Sequence, residues 1–278
     1  MNEPAKDKTG SDTVFAGAVP EMYETLMVPL IFEPYALDLA DRLAPRSPRR
    51  VLEIAAGTGV VTRRLAARLP AAATIVATDL NQAMLDHAAS VGTARKVEWR
   101  QADAMQLPFA DHSFDAVVCQ FGAMFFPDKP RAFAEARRVL APGGVFLFNV
   151  WDRIEMNEFA ATVTDALAQR YPADPPRFLA RTPHGYWQRD AIASDLLTAG
   201  FAAPPSFDTR AERSRAASAQ VVAVAYCQGT PLRNEIEARD AAGLLQGATT
   251  QSSQALAARF GPGAIEGGIQ AHIVAAPA

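Results

Sequence analysis

The stretch VLEIAAGTGVVTRRLA, residues 51–66, predicts a buried strand, a turn of small residues and a helix in direct succession. The strand is apolar apart from Glu53, and apolar residues recur every four positions in the helix. Between them, Ala55, Gly57 and Gly59 remove side-chain bulk where the strand ends. Such a turn lets backbone amides approach a ligand, and the start of the following helix favours a negative or polar group. The stretch therefore predicts a ligand site at a strand end.

The same turn is close to a dinucleotide-binding fingerprint but departs from it. That fingerprint needs a third glycine at position 62, where this chain has Thr62. An NAD(P)-dependent oxidoreductase is therefore disfavoured, although it stays an alternative. An ordinary tight turn between a strand and a helix is the other reading.

On both sides of this stretch, residues 50–150 alternate short apolar runs with helical patterns. The further apolar runs are residues 74–78, 97–101, 114–119 and 145–150. This alternation is typical of βαβ units and predicts an α/β fold with a Rossmann-like, doubly wound, mainly parallel sheet. Two later runs, residues 206–211 and 271–276, predict further strands with an antiparallel edge.

Acidic residues follow the second and third predicted strands. Asp79 closes the run TIVATD about 20 residues beyond the small-residue turn, where a carboxylate can accept both hydroxyl protons of a ribose. The alternative for Asp79 is a helix N-cap, because a helical pattern starts directly after it. Asp103 follows the third strand, and the backbone amide of the adjacent Ala104 is free to meet an adenine edge.

In this order, the motifs resemble those of the class I S-adenosylmethionine-dependent methyltransferases. The matching segments are VLEIAAGTG at 51–59, ATDLNQAML at 77–85, QADAMQLPFADHSFDAVVCQF at 101–121 and RVLAPGGVFLF at 138–148. The branch that the chain resembles acts on small molecules and includes enzymes of ubiquinone and menaquinone biosynthesis. Residues 15–36 also resemble an N-terminal cap found in part of this group.

The resemblance implies S-adenosylmethionine as the cofactor and assigns it a set of residues. The residues implied to bind it are Tyr23, Glu53, Ala55, Gly57, Gly59, Asp79, Leu80, Met84, Asp103, Ala104, Gln120 and Phe121. The glycine turn would hold the methionine part, Asp79 the ribose, and Asp103 with Ala104 the adenine. Gln120 and Phe121 would contact the methionyl end through backbone atoms. The family usually has glycine where this chain has Ala55.

Methyl transfer from a sulfonium needs little activation, so the protein mainly has to position a nucleophile and exclude water. His184, in the segment TPHGYW, is the candidate general base, and a surface or capping histidine is the alternative. Phe125, Tyr186 and Trp187 are the candidate acceptor-binding residues and predict an apolar or aromatic acceptor, with core packing as the alternative. The identity of the acceptor and the atom methylated stay open.

Composition excludes several other classes of partner. The net charge of −3, from 27 basic and 30 acidic residues, gives no dense cationic face for nucleic acid. The two cysteines, Cys119 and Cys227, are far apart, which favours a reducing compartment and no metal site. No apolar run reaches the roughly 20 residues that a membrane helix needs. We therefore predict a cytoplasmic protein with a small-molecule substrate and no membrane partner, and a homodimer is left open.

The patterns also predict a division of the chain. Residues 1–14 read as a disordered tail, and residues 15–278 as a single methyltransferase domain. Within that domain we expect a helical cap at 15–48, a cofactor-binding core at 49–151, a lid insertion at 152–205 and C-terminal edge strands with helices at 206–278. A protein that binds the cofactor without catalysis is a further alternative.

Overall fold

A sheet of seven strands forms the centre of the computed structural model, which describes residues 19–239 and 245–278. In chain order the strands are β1 Arg50–Ile54, β2 Thr74–Asp79, β3 Glu98–Gln101, β4 Phe114–Gln120, β5 Leu140–Trp151, β6 Ser206–Ala216 and β7 Ile265–Pro277. Across the sheet the order is β3-β2-β1-β4-β5-β7-β6. The first five strands pair in parallel, whereas β7 is antiparallel to both β5 and β6. The predicted fold class is confirmed, with the antiparallel strand lying one position inside the edge.

Helices cover both faces of this sheet. In the described residues the α-helices are α1 Val19–Met22, α2 Glu33–Leu43, α3 Val60–Arg68, α4 Gln82–Val91, α5 Lys129–Val139, α6 Glu158–Arg170, α7 Phe178–Arg181, α8 Arg189–Thr198, α9 Ala219–Gln228, α10 Leu232–Arg239 and α11 Leu245–Phe260. None of the helices in this part of the chain is long and apolar enough to span a membrane. The predicted tail at 1–14 lies outside the described residues.

The sequence predicts an N-terminal helical region broken at Pro20, Pro29 and Pro34, but the structure is helical without a break over residues 19–46. Helical turns run through residues 19–46, and their hydrogen-bond spacing changes instead of being interrupted. The segment Tyr23–Phe32 is a π-helix that contains Pro29, which has no N–H to donate. The amide of Glu33 donates to the carbonyl of Val28, five residues earlier, which is the π-helical spacing. A change of helix type thus absorbs the proline, and π-helical turns often occur at functional sites.

Ion pairs attach this N-terminal region to α3. The pairs join Arg63 to Glu24, Arg64 to Glu33 and Arg68 to Asp41. They explain why the polar face of α3 is rich in arginine. Partly exposed pairs of this kind contribute up to about 1 kcal/mol each, so they orient the region more than they stabilise it.

The order of the strands decides where a ligand can lie. The chain winds outward in one direction through β1, β2 and β3, and in the other through β4 and β5. Ligands of open α/β sheets bind at such a switch point, outside the carboxyl ends of the strands. The loops after β1, β2, β3 and β4 all lie at that edge, which brings the predicted cofactor motifs together.

Candidate functional site

A pocket of about 240 Å³, here called the strand-edge pocket, lies at the carboxyl ends of β1 to β4. The predicted cofactor residues that line it are Tyr23, Ala55, Gly57, Asp79, Leu80, Met84, Asp103, Ala104, Gln120 and Phe121. Glu53 and Gly59 are not among its lining residues. Residues predicted from separate motifs therefore meet around one cavity.

Asp79 is the buried carboxylate of the strand-edge pocket, with 8% of its surface exposed. Its Oδ2 accepts a hydrogen bond from the amide of Gly57 at 2.8 Å, and its Oδ1 accepts one from the amide of Asn81 at 2.8 Å. Burial raises the pKa of Asp79, and these amides act in the opposite direction. Oδ1 also accepts a longer bond from Asn81 Nδ2 at 3.4 Å, so Oδ2 is the oxygen that keeps a lone pair for a ligand. The helix-capping alternative is wrong, because α4 begins at Gln82 with Asn81 as its N-cap.

The small-residue turn combines an open position with a crowded one. Gly57 has a φ of +56°, and a Cβ built there would meet nothing within 4 Å, so the turn offers open space to a ligand. Ala55 also lies in the left-handed region, at φ 54°, where an L side chain costs roughly 1–2 kcal/mol. A Cβ built on Gly122 would lie 2.5 Å from the Cβ of Ala55. Gly122 therefore leaves the space that the Ala55 methyl occupies.

Glu53 and Gly59 stabilise the small-residue turn through contacts with other parts of the chain. Glu53 is 1% exposed, and burial raises its pKa to about 8. The hydroxyl of Thr62 donates to Glu53 Oε2 at 2.6 Å, which gives a structural role to the residue that replaces the third fingerprint glycine. A Cβ on Gly59 would lie 2.9 Å from the ring of Trp99, so this glycine is needed for packing.

The opposite end of the strand-edge pocket combines polar and apolar groups. Asp103 is exposed, and its Oδ1 accepts a hydrogen bond from the amide of Met105 at 2.8 Å, which leaves Oδ2 for another donor. Met84 is 3% exposed, whereas Leu80 is 51% exposed. Leu80 lines the pocket and is therefore a ready apolar contact for a flat ligand.

Gln120 ends β4 at the other side of the pocket, and Phe121 follows it. The Gln120 Nε2 donates to the carbonyl of Phe32 at 3.3 Å and so ties the π-helix to the sheet. Phe121 has a φ of +49°, and its amide donates to Asn149 Oδ1 at 2.9 Å. The ring of Tyr23 stacks on Phe32 with centroids 5.0 Å apart. Burial first, and then the Asp79 carboxylate, raise the pKa of Tyr23, so its hydroxyl stays protonated.

A second cavity of about 50 Å³, the aromatic pocket, adjoins the first. The two share Tyr23, Phe121 and Phe125 as lining residues. The other aromatic side chains that line it are Phe32, Trp151, Phe178 and Tyr226. None of the described residues that line the aromatic pocket is Asp, Glu, Lys or Arg. Its surface is therefore apolar and uncharged, with a few polar groups.

His184 is the titratable group of the aromatic pocket and is 6% exposed. Its Nδ1 lies 2.9 Å from the carbonyl oxygen of Asp152. A carbonyl only accepts, so Nδ1 carries the hydrogen and Nε2 carries the lone pair. Burial lowers the pKa of His184 to about 4, which keeps the ring neutral at pH 7. The geometry makes Nε2 a hydrogen-bond acceptor.

The structure separates the three predicted acceptor residues. Phe125 lines both pockets, whereas Tyr186 and Trp187 are lining residues of neither. The Tyr186 hydroxyl donates to Asp195 Oδ2 at 2.6 Å, and Trp187 lines a different cavity of about 280 Å³. Sequence reasoning missed Asn149, whose type and place in an apolar strand gave no signal.

These groups together fit a nucleoside cofactor. Asp79 and Asp103 retain acceptor capacity at one end of the strand-edge pocket, Gly57 leaves open space, and Gln120 Oε1 is buried without a hydrogen bond from the described residues. A ligand with several hydrogen-bond donors and a flat base matches this set. No group of three or more potential metal ligands occurs in residues 19–239 or 245–278.

Comparison with known proteins decides the family. Residues 52–148 match a protein-family profile described as a methyltransferase domain. The ubiquinone/menaquinone biosynthesis C-methyltransferase UbiE of Dinoroseobacter shibae is 32% identical over 184 residues, which are 59% of this chain and 70% of that protein. The chain belongs to the class I S-adenosylmethionine-dependent methyltransferases.

This methyltransferase is also similar to the malonyl-[acyl-carrier protein] O-methyltransferase of Geobacter sulfurreducens, at 36% identity over 162 residues and 58% of each chain. The YcgJ protein of Bacillus subtilis shares its fold, with a TM-score of 0.56, 20% identity and coverage of 88% of this chain and 98% of that one. Family membership establishes S-adenosylmethionine as the cofactor and methyl transfer to a small molecule as the reaction. It decides against the oxidoreductase and the non-catalytic alternatives.

Proposed function

We propose that the methyltransferase binds its cofactor in the strand-edge pocket and its acceptor in the aromatic pocket. The observation that carries this proposal is the wall common to both cavities, formed by Tyr23, Phe121 and Phe125. Transfer between two bound molecules requires the donor carbon and the nucleophile to be held roughly 3–3.5 Å apart and in line. Adjoining pockets supply that arrangement without a large movement of the chain.

In this proposal the ribose lies against Asp79. Asp79 Oδ2 accepts one backbone amide and has a lone pair left for a ribose hydroxyl, and a second hydroxyl would replace the long 3.4 Å bond from Asn81 Nδ2 to Oδ1. The amide of Gly57 fixes the carboxylate, and the open side of the same glycine faces the amino-acid end of the cofactor. Tyr23 closes the pocket from the π-helix.

The adenine lies towards β3. Asp103 and the amide of Ala104 address the polar edge of the base, and the remaining Asp103 oxygen is available to accept from its amino group. Leu80 and Met84 give apolar surface to the flat faces of the base or the ribose. This assignment uses polar groups only where the nucleoside has polar edges.

The bound cofactor supplies a methyl group on a positively charged sulfur, so the chain has to orient the acceptor and exclude water. Phe121 and Phe125 reduce access of water to the boundary between the pockets. His184 would accept a hydrogen bond from an acceptor hydroxyl through Nε2 and take its proton as the nucleophile bonds to the methyl carbon and the bond from that carbon to sulfur breaks, which leaves S-adenosylhomocysteine. Asp152 holds the imidazole in the tautomer that this step needs.

The acceptor is an uncharged, planar molecule with a hydroxyl group. A cationic amine is disfavoured because no carboxylate lines the aromatic pocket in the described residues. A volume of about 50 Å³ corresponds to roughly three to five water molecules, which is the scale of one small ring. The two relatives named above are a C- and an O-methyltransferase, so both carbon and oxygen are candidate methylated atoms.

The division of the chain follows from this placement. Residues 15–48 act as the cap over the cofactor, 49–151 as the binding core and 152–205 as the lid that carries Phe178 and His184, while 206–278 complete the sheet and its helices. We further propose a cytoplasmic enzyme without a nucleic-acid partner. The net charge of −3 and two buried cysteines support this part.

Turnover on a defined acceptor panel tests the proposal. The panel contains one-ring phenols, hydroxyquinols, aliphatic alcohols and aliphatic amines, and the readout is the methylated product together with S-adenosylhomocysteine. We expect turnover of the hydroxyaromatic compounds, and a loss of at least tenfold in His184→Gln but not in His87→Gln on α4. Preference for cationic aliphatic amines would contradict the proposed acceptor class.

A further inference from the structure

The cavity of about 280 Å³ that contains Trp187, here called the opposite-face cavity, has no part in the proposed methyl transfer. It is larger than the strand-edge pocket of about 240 Å³. None of its described lining residues also lines the strand-edge pocket or the aromatic pocket. It is therefore a separate place at which a ligand could bind.

The opposite-face cavity lies on the other side of the sheet from the aromatic pocket. The amide of Asp152 donates to the carbonyl of Gln270 at 3.0 Å, so the pairing of β5 with β7 continues one residue beyond Trp151. Successive residues of a strand point to opposite faces of the sheet. Trp151 and Ile269 line the aromatic pocket, whereas Asp152 and Gln270 line the opposite-face cavity. A ligand in this cavity therefore leaves the aromatic pocket free for the acceptor.

Asp152 is the one acidic residue among the described lining residues of the opposite-face cavity, and it is 7% exposed. Its Oδ2 accepts a hydrogen bond from Gln270 Nε2 at 2.6 Å, and its Oδ1 accepts one from the amide of Arg153 at 2.7 Å. His272 Nε2 lies 3.4 Å from the same Oδ1. Since the chain itself supplies these donors, the carboxylate has little capacity left for a cationic ligand.

His272, which also lines the cavity, adds no positive charge to it. Arg189 donates to the hydroxyl of Thr209, so this hydroxyl directs its own hydrogen to His272 Nδ1 at 2.9 Å. The hydrogen of the neutral ring is then on Nε2, facing Asp152. Burial lowers the pKa of His272, and Asp152 acts in the opposite direction. The cations of the cavity are therefore its arginines.

Two exposed arginines, Arg153 and Arg189, line the opposite-face cavity. Neither forms an ion pair with a carboxylate of residues 19–239 or 245–278. Two positive charges and the single negative charge of Asp152 leave a surplus of one positive charge. Guanidinium groups bind carboxylates through paired N–H donors. The charges therefore favour a ligand with one negative charge.

The cavity also offers apolar surface beside these arginines. Trp187 and Met156 both line it, and both side chains are half-buried. An indole stacks on flat rings, and a thioether makes favourable contacts with aromatic groups. A ligand that satisfies both parts of the cavity has a carboxylate and an aromatic ring.

We propose that the opposite-face cavity is a second ligand site, which binds a small aromatic carboxylate with its charge at Arg153 and Arg189 and its ring at Trp187. The site is additional to methyl transfer and does not depend on where the cofactor and the acceptor bind.

Fluorine NMR titrations of the full chain with 4-fluorobenzoate and 4-fluorobenzamide test the proposal. The two probes have similar shapes, but only the benzoate is charged at pH 7. Saturating S-adenosylhomocysteine occupies the cofactor site throughout. We expect the benzoate to bind at least tenfold more tightly than the amide.

Variants of the lining residues locate the bound probe. The double variant Arg153→Gln/Arg189→Gln should bind the benzoate about tenfold more weakly, while the affinity for the amide should change by less than about twofold. Trp187→Leu should weaken both probes to a similar extent, because the ring loses its contact in both cases.

Arg49→Gln/Arg68→Gln is the matched control. It also removes two positive charges from exposed arginines, and neither residue lines the opposite-face cavity. It should leave the affinity for each probe unchanged within about twofold.

Three results would overturn the proposal. The first is equal affinity of the unmodified enzyme for the two probes. The second is an equal loss of benzoate affinity in the control and in Arg153→Gln/Arg189→Gln, which would show a general effect of net charge. The third is a loss of benzoate binding in His184→Gln but not in Arg153→Gln/Arg189→Gln, which would place the probe in the aromatic pocket.

Discussion

The ring of Phe121 lies face to face on the indole of Trp151, with centroids 3.8 Å apart and planes inclined by 4°. Phe121 adopts its left-handed backbone while its amide donates to Asn149 Oδ1. Asn149 and Trp151 are two positions apart on β5 and therefore point to the same face of the sheet. One strand thus fixes both the backbone and the ring of the residue that separates the two pockets.

Replacing Asn149 with alanine should release Phe121 from this arrangement. Asn149 is fully buried, and the Phe121 amide would keep only its 3.3 Å bond to the backbone carbonyl of residue 149, so the free energy of unfolding should fall by about 0.5–1.5 kcal/mol. The near-ultraviolet circular dichroism band of Trp151 should also change, because Phe121 would no longer be held against its indole. The KM for the acceptor should rise, because Phe121 lines the aromatic pocket. A destabilised variant with an unchanged band and unchanged KM would show that Asn149 does not position Phe121.

Replacing Asp79 with alanine should weaken binding of S-adenosylhomocysteine by about 1.5–3 kcal/mol, or roughly 10- to 150-fold, because ribose hydroxyls lose a charged acceptor. Isothermal titration calorimetry measures the change. Asp86→Ala is the control, since Asp86 is exposed on α4 and binds Gln82. Equal affinities of the Asp79 variant and the unmodified enzyme would refute the ribose assignment.

Ala55→Gly should stabilise the protein by about 0.5–1 kcal/mol. Glycine removes the strain that alanine has at φ 54° in the folded protein. This gain exceeds the cost of the larger conformational entropy that glycine has in the unfolded chain. Ala56 is buried and has no positive φ, so Ala56→Gly should destabilise the protein. Chemical denaturation gives both values. A lower stability of Ala55→Gly would mean that the methyl packed against Gly122 outweighs the backbone cost.

His184 should make stability fall as the solution becomes acidic. Burial lowers its pKa from 6.5 to about 4, so the unfolded chain binds this proton more readily between those pH values. The contribution is fully present above pH 6.5 and is lost as pH falls to about 4. Its size is about 3 kcal/mol by the linkage between pKa and free energy.

Denaturation curves of His184→Gln between pH 4 and 7 test this expectation. The variant should lose the part of the pH dependence that comes from His184, while His87→Gln should retain it. The acid limb of kcat/KM should likewise lie near the lowered pKa. If the free energy of unfolding depends on pH in the same way in His184→Gln and in the unmodified protein, the His184 ring is exposed to solvent and its pKa is not lowered by burial.

Much of the sheet and the cofactor motifs follows from local patterns. Asp79 was predicted because a carboxylate after a buried apolar run must lie at the strand edge, and the structure places it there. Glu53 and Gly59 belong to the same motif but do not line the pocket. Glu53 accepts a hydrogen bond from Thr62, which lies in the same motif. Gly59 packs against Trp99, which is 40 positions further along the chain and gives no local signal.

The aromatic pocket was less accessible to sequence reasoning because distant segments build it. His184 was predicted beside Tyr186 and Trp187, yet only the histidine reaches the pocket. After α7 the amide of His184 donates to the carbonyl of Leu179, and the chain then turns the next side chains towards other elements. In an irregular turn of this kind, no repeating sequence pattern predicts the direction in which each side chain points. Contributions from residues as far along as Tyr226 carry no local signal either.

A crystal structure of the enzyme with S-adenosylhomocysteine tests the two-pocket arrangement most directly. We expect the ribose at Asp79, the adenine at Asp103 and the sulfur at the boundary formed by Tyr23, Phe121 and Phe125, directed towards His184. Nucleoside density outside the strand-edge pocket, or a sulfur directed away from the aromatic pocket, would contradict the proposed arrangement.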